Sequence, residues 1–334
     1  MAHTTEIMVN GILTQVTEFD HSAQEIDDAI DALGGAKTPQ EALANLGAGV
    51  RPTLLRNGFF VGGGSQKGSG IFPINQRGKL SYADGYTIDG WKLNSGTLTV
   101  KDDCIELEAP SGNFATFECT VEAPSNYSGK TLTLSALAER ISGTEYCYIT
   151  NIFDEYKKDV AIPAEKGFCS LTDTAGTLTS SLKFVFVCGK GCKIRMYAAK
   201  MEEGTFHTLG WMDKSGGVHL FDTLHYGWEL SECQRRQLAL WRYFISPAVH
   251  FQPNYIDFSI PVPVEMRTTP ALTQSDFIVY ADAKGTQSGF SLSVVGISSN
   301  AIRVRATKEA HGLTLADGVH IEVNVERAIL DANL

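Results

Sequence analysis

The sequence predicts a mainly β chain, in which a short N-terminal helical, coiled-coil segment precedes two antiparallel β-sandwiches. Three observations predict it. Short runs that alternate apolar and polar side chains recur from Thr53 onwards, separated by Gly, Pro, Ser and Asn clusters, as in strands with one face on a core and one in water. No helical period interrupts them before about residue 204, which argues against an alternating α/β sheet. The first 50 residues carry a different period, built on spacings of three and four. At 334 residues the chain exceeds the usual size of a single core, and it divides into segments 1–51, 52–204 and 205–334.

In the first segment Val16, Phe19, Ala23, Ile26, Ile30 and Leu33 follow one another at alternating spacings of three and four, the a/d seam of a coiled coil. Ser22-Ala-Gln-Glu25 fits a capping box and Gly34-Gly35 an exit, so the helix spans that interval and Val16 and Phe19 lie in an extended lead-in. So short a helix does not hold alone. Association between chains through Phe19, Ala23, Ile26, Ile30 and Leu33 is expected, the competing reading being a helix packed on its own domain. Thr38-Pro39-Gln40-Glu41 starts a second helix, with Thr as N-cap, Pro at the first helical position and Glu completing the box, and Gly47 ends it.

The middle segment reads as strands throughout, among them Thr97–Val100, Phe114–Val121, Thr131–Leu137, Tyr146–Ile149, Leu182–Val187 and Lys193–Tyr197. The last segment opens with a loop and one helical pattern over Glu229–Phe244, with Leu230, Cys233, Leu240, Trp241 and Phe244 on one side. Arg235 and Arg236 are then a solvated helix face. Strands return at Ile256–Ile260, Phe277–Tyr280, Ser291–Val295, Ile302–Arg305 and Val319–Glu326, and Pro261 and Pro263 suit an edge strand.

Composition limits the function. A net charge of -10 argues against a nucleic-acid binder, which needs clustered Lys and Arg. No apolar run is long enough for membrane insertion, and Met1–Glu6 has neither the basic nor the apolar region of a signal peptide, so secretion through one is not expected and exposure outside the cell would follow lysis. The seven cysteines read as small buried hydrophobes. Cys188-Gly-Lys-Gly-Cys192 leaves a disulfide across a hairpin as an alternative; a zinc site would need about four ligands, and no second pair or His cluster lies near. No catalytic residues, metal or cofactor are expected: there is no Gly-x-Ser-x-Gly elbow, phosphate loop or His-Glu-x-x-His, and adjacent carboxylates such as Asp102-Asp103 point to opposite faces of a strand.

Asn75-Gln76-Arg77-Gly78, then Gly85-Tyr86-Thr87-Ile88-Asp89 and Trp91, with Lys200-Met-Glu-Glu-Gly-Thr205 at the end of the segment, resemble the jelly-roll, carbohydrate-binding-module-like domain of bacteriophage and prophage tail-fibre and receptor-binding proteins. Thr38–Gly47, the Glu229–Arg235 string and Phe258–Pro270 are similar to segments that flank such domains. Two positions depart from the pattern: Gly90 stands where an Arg is usual, and Arg236 where a Tyr is usual. The resemblance implies a homotrimer that binds a host cell-surface polysaccharide without catalysis. It also implies a virion location and attachment to tail, baseplate or capsid proteins through the N-terminal segment. A structural or decorating virion protein is the alternative, and a glycan depolymerase a lesser one. Within this frame Arg77, Tyr86, Asp89 and Trp91 are expected to lock the jelly roll, with Trp91 in the core and Arg77 paired to Asp89. Tyr82, Tyr127 and Tyr255, in polar loops, are the expected glycan-stacking residues.

Overall fold

The structure is a computed structural model; it describes residues 51–61, 73–154, 158–212, 217–220 and 226–333, together with two strands before them. The chain forms two compact units, Met1–Pro52 and Thr53–Leu334. It is mainly β, every pairing among the described strands is antiparallel, and α1 (Tyr226–Gln234) is the one α-helix among the described residues. No helix among them is long and apolar enough to cross a membrane.

In the first unit β1 (His3–Val9) pairs with β2 (Ile12–Glu18) so that Val9 faces Ile12, leaving a two-residue Asn-Gly connection. Asn-Gly is the strongest short hairpin signal. Val16 lies on β2; Phe19, Ala23, Ile26, Ile30 and Leu33, and both expected helices, lie outside the described residues.

The second unit begins with two six-stranded sheets that share one core. Its strands are β3 (Ser81–Tyr82), β4 (Gly85–Tyr86), β5 (Trp91–Asn94), β6 (Thr97–Val100), β7 (Ile105–Glu108), β8 (Ala115–Thr120), β9 (Thr131–Ser142), β10 (Tyr148–Phe153), β11 (Asp159–Ala161), β12 (Gly167–Thr174), β13 (Leu182–Cys188) and β14 (Lys193–Glu203). One sheet runs β11-β10-β13-β8-β5-β4 and the other β12-β9-β14-β7-β6-β3. Because side chains alternate along a strand, Phe117, Cys119, Phe184, Phe186 and Ile149 of the first sheet meet Leu132, Leu134, Ile194 and Met201 of the second in that core. Trp91 is its centre: fully buried, stacked 4.7 Å from Phe117 and edge-on 5.3 Å from Phe60. Its indole N–H donates to the carbonyls of Arg56 and Asn57, so the one polar atom it carries is satisfied.

The chain then continues through β15 (Gly210–Met212), β16 (Val218–Leu220), α1, β17 (Gln237–Trp241), β18 (Ile245–Gln252), β19 (Tyr255–Pro261), β20 (Phe277–Ala281), β21 (Gly285–Gln287), β22 (Ser291–Ile297), β23 (Ala301–Thr307), β24 (Val319–Val323) and β25 (Arg327–Asp331). A seven-stranded sheet, β21-β20-β24-β18-β19-β23-β22, and the pair β17-β25 share a second core around Phe258, Ile302, Val304, Ile321 and Leu330.

Three expectations are corrected here. The helix stops at Gln234 rather than running to Phe244. Gln237–Trp241 instead alternates, with Leu238 and Leu240 buried and Trp241 59% exposed, and pairs with β25. Arg236 is not solvated but 5% exposed. β19 is not an edge strand, since β18 and β23 flank it; Pro261 is tolerated there because it is the strand's last residue.

Candidate functional site

The stretch 74–91 is a polar lock between the two cores. Arg77 does not pair with Asp89, as the sequence suggested; its Nη2 donates to Asp331 Oδ2 on β25 at 2.5 Å. Gln76 bridges in both directions, its Nε2 donating to the Gln237 carbonyl (2.6 Å) and its Oε1 accepting from the Ala239 N–H (3.2 Å). Arg327 Nη1 donates to the Gln76 carbonyl at 2.6 Å, and the Tyr86 hydroxyl donates to the Asn333 carbonyl. Gly78 suits this place: its φ of +69° is in the left-handed region that favours glycine, and without a Cβ it leaves room for the Arg327 guanidinium.

Asp89 lies in the middle, 1% exposed, its carboxylate accepting from the Gln76 N–H (2.9 Å), Gln76 Nε2 (2.5 Å) and Gln237 Nε2 (3.1 Å). Burial pushes its carboxyl up to about 7, against the opposing pull of those donors and of Arg77. A second cluster lies at Glu122, which takes Arg236 through Nε and Nη2 at 3.0 and 2.7 Å and Arg56 at 3.1 Å. Buried Glu229 of α1 accepts the Asn57 N–H at 2.7 Å. Departure from the Tyr usual at position 236 thus has a visible use, since the guanidinium there reaches across to Glu122.

The outer faces of the two six-stranded sheets differ. That of the second is covered: Phe59, Cys104, Leu137, Tyr197, Ala198 and Leu209 form a third apolar cluster, against which Val218 and Leu220 pack. Beneath this cover Lys200 and Glu202, both fully buried and 3.7 Å apart, hold the following segment by Thr208. This is the structural content of the Lys-Met-Glu-Glu-Gly-Thr ending.

The outer face of the first sheet carries side chains in rows set by strand register. One row runs Tyr148, Val187, Thr116, Asn94, and the next Thr150, Val185, Glu118, Lys92, Tyr86. Six strands make it about 24 Å wide. Tyr148 stacks on half-exposed Tyr146 with ring centroids 5.0 Å apart, and the Tyr146 hydroxyl donates to Asp159 at 3.1 Å. Burial and Asp159 push both phenols up, so each stays a neutral hydrogen-bonding group. Val185 and Val187, 2% and 6% exposed, lie low between flanking polar groups. Lys183 Nζ meets Glu118 at 3.0 Å, Asn94 Nδ2 donates to Thr116 at 3.2 Å, and Lys92 Nζ lies 5.9 Å from the Tyr86 ring centre.

The expected stacking residues fall on three separate elements. Tyr82 is in the core, 6% exposed, with its hydroxyl donating to Asn75 Oδ1, so it presents no ring face. Tyr127 ends a short 3-10 turn and packs against the first core. Tyr255, on β19, has the Arg305 guanidinium 3.7 Å over its ring. Tyr146, Tyr148 and the rows beside them were not singled out from sequence. Their signal was the Tyr-Cys-Tyr alternation, which shows two rings on one side and not which side that is. Among the described residues no group of three His, Cys, Asp or Glu is placed to hold a metal ion.

No protein-family model matches the chain, and no curated protein does. Among solved structures, one similarity is to the enzymatically active domain of tailspike protein 4 of bacteriophage CBA120, at 16% identity and a TM-score of 0.30, covering 43% of this chain and 22% of that one. A second is to the CBM22-1 and GH10 modules of a Clostridium thermocellum endo-1,4-beta-D-xylanase, at 10% identity and a TM-score of 0.27, covering 38% and 29%. A third is to the N-terminal cellulose-binding domain of Cellulomonas fimi beta-1,4-glucanase C, at 14% identity and a TM-score of 0.28, covering 38% and 97%. The match thus spans less than a third of the first two.

Proposed function

We propose that this chain is a glycan-binding protein of the phage tail-fibre type, which attaches a particle to a bacterial surface polysaccharide and does not cleave it. The observation that carries this is the outer face of the first sheet. It sets the stacked Tyr146–Tyr148 pair at one end and Tyr86 with Lys92 at the other, with hydroxyl, amide, carboxylate and ammonium groups between. Aromatic rings offer apolar faces to the C–H side of a sugar, while Thr116, Asn94, Glu118 and Lys183 answer its hydroxyls. A long, shallow face suits a polymer rather than a small molecule. The carboxylate in its middle, Glu118, is paired with Lys183, an arrangement for holding a ligand and not for acid–base cleavage. In this reading the two cores belong to two β-sandwich bodies, the N-terminal segment trimerises and joins other virion proteins, and repetition of a weak site supplies avidity.

The lock at 74–91 favours a second reading, a virion spacer, because it ties both cores into one unit. Binding of the full chain to intact cells of candidate host strains separates the two. The adhesin reading expects binding that disappears when the surface polysaccharide is stripped; absence of binding on every susceptible strain would leave the spacer.

A further inference from the structure

Cys147, Cys188 and Cys192 bring three thiols together at one end of the first core, and no part of the binding face uses them. All three are buried and unpaired, at 2%, 0% and 0% exposure. Cys147 immediately precedes β10, where Tyr148 faces Val187 of antiparallel β13, so Cys147 stands directly opposite Cys188. The Cys147 carbonyl accepts from the Ile162 N–H on the other side of the strand. Cys147 and Cys188 are therefore a pair that exchanges no backbone hydrogen bonds, the kind whose Cα atoms approach to about 4.5 Å with side chains converging. That separation lies inside the range a disulfide spans. Both side chains point into the same core.

The surroundings are shaped to hold sulfur. The Gly189 N–H donates to Cys147 Sγ at 3.3 Å, Cys188 Sγ donates to the Cys192 carbonyl at 3.2 Å, and Cys192 Sγ donates to the Glu145 carbonyl at 3.5 Å. Two glycines let the chain close on them: a Cβ at Gly143 would stand 2.4 Å from Cys192 Sγ, and one at Gly189 2.7 Å from Glu145 Cβ. The Cys188 thiol, the Gly189 N–H donor and the Cys192 thiol, all against the Cys147 sulfur, hold its thiol below the usual cysteine range against its burial, favouring the nucleophilic form.

We infer that Cys147 and Cys188 form a cross-strand disulfide site, closed by a two-electron oxidant once the protein leaves a reducing cytoplasm. In the step each cysteine gives up one proton and one electron as the S–S bond forms. The oxidant takes both pairs: molecular oxygen becomes hydrogen peroxide, and diamide becomes its hydrazine. The link staples β10 to β13 behind Tyr146 and Tyr148, and it does not depend on what the face binds. Cys192 remains the third thiol, within reach for exchange.

The test treats the full-length protein with diamide under native conditions, blocks remaining thiols with N-ethylmaleimide, and maps tryptic peptides without reduction. Lys190 separates Cys188 from Cys192, so the two possible partners of Cys147 fall in different peptides. The expected result is a 141–157 peptide linked to 184–190, lost in C147S and C188S and kept in C192S. Closing a loop of about 40 residues should also raise Tm by roughly 5–10 °C, reversed by dithiothreitol. Seven alkylated cysteines after oxidation, or Cys192 as the principal partner in the wild-type map, would overturn the inference; that map needs no variant to fold.

Discussion

Asp89 gives the sharpest test of the lock between the two cores. Its carboxyl is 1% exposed and held up at about 7, whereas the unfolded chain returns it to about 3.8. Between these values the folded protein binds a proton that the unfolded chain does not. The contribution to stability is therefore fully present below about pH 4, falls by about 1.4 kcal/mol per pH unit, and is gone above pH 7. Across the window this amounts to about 4 kcal/mol, or roughly 5–10 °C in Tm for a unit of this size. Asp89→Asn removes the proton equilibrium but keeps one acceptor oxygen, at a fixed cost of about 1–2 kcal/mol for the donor left unpaired. Urea melts of wild type and variant at intervals from pH 4.5 to 8.5 isolate the effect, because other titrating groups cancel in the difference. Wild type should be the more stable at pH 4.5, and its advantage should shrink or reverse by pH 8. A difference that stays flat within about 0.5 kcal/mol would show that Asp89 is ionised throughout, its N–H donors outweighing burial.

Two further substitutions probe buried charges. Lys200→Met leaves Glu202 buried without its cation beneath the segment held by Thr208 and should cost about 3–5 kcal/mol in chemical denaturation. A loss below about 1 kcal/mol would mean that Thr208 alone satisfies Glu202. Arg236→Ala removes two bonds to Glu122 but leaves Arg56 beside it, so the cost should sit lower, about 2–3 kcal/mol, and limited proteolysis should cut earlier between the two cores. Unchanged cleavage would place the strength of the junction at Gln76 and Arg77 instead.

Much of the β architecture was legible because the relevant signal is local. Leu132, Leu134 and Ala136 alternate with Thr133 and Ser135, and the core takes the first set. What failed was non-local. Gln237–Trp241 carries apolar residues that also fit a helix, and only its pairing with β25, some 90 residues later, makes it a strand. Arg77 was matched to the nearest acid in its own motif, whereas the lock selects Asp331 from the far end of the chain. Asn10-Gly11 is a hairpin signal, but Val16 just beyond it also fits the heptad count, so the local pattern is ambiguous there. Tyr82 sits among polar neighbours, yet the two-residue strand β3 turns its ring inward against β6. The arrangement of the outer face of the first sheet is hidden for a related reason: Thr116, Glu118, Lys183 and Lys92 look like any wet side of a strand until register puts them in rows.

The central claim is that this face binds glycan, and Tyr148→Ala measures it directly. The probe is the purified surface polysaccharide of a strain to which the full chain adheres, titrated by calorimetry into wild type and variant. Removing one ring of the stacked pair should weaken binding about tenfold or more, with melting unchanged because Tyr148 lies outside the core. Equal affinities for the two proteins, with Tyr255→Ala or Tyr127→Ala reducing binding instead, would contradict the account and move the site to those loops.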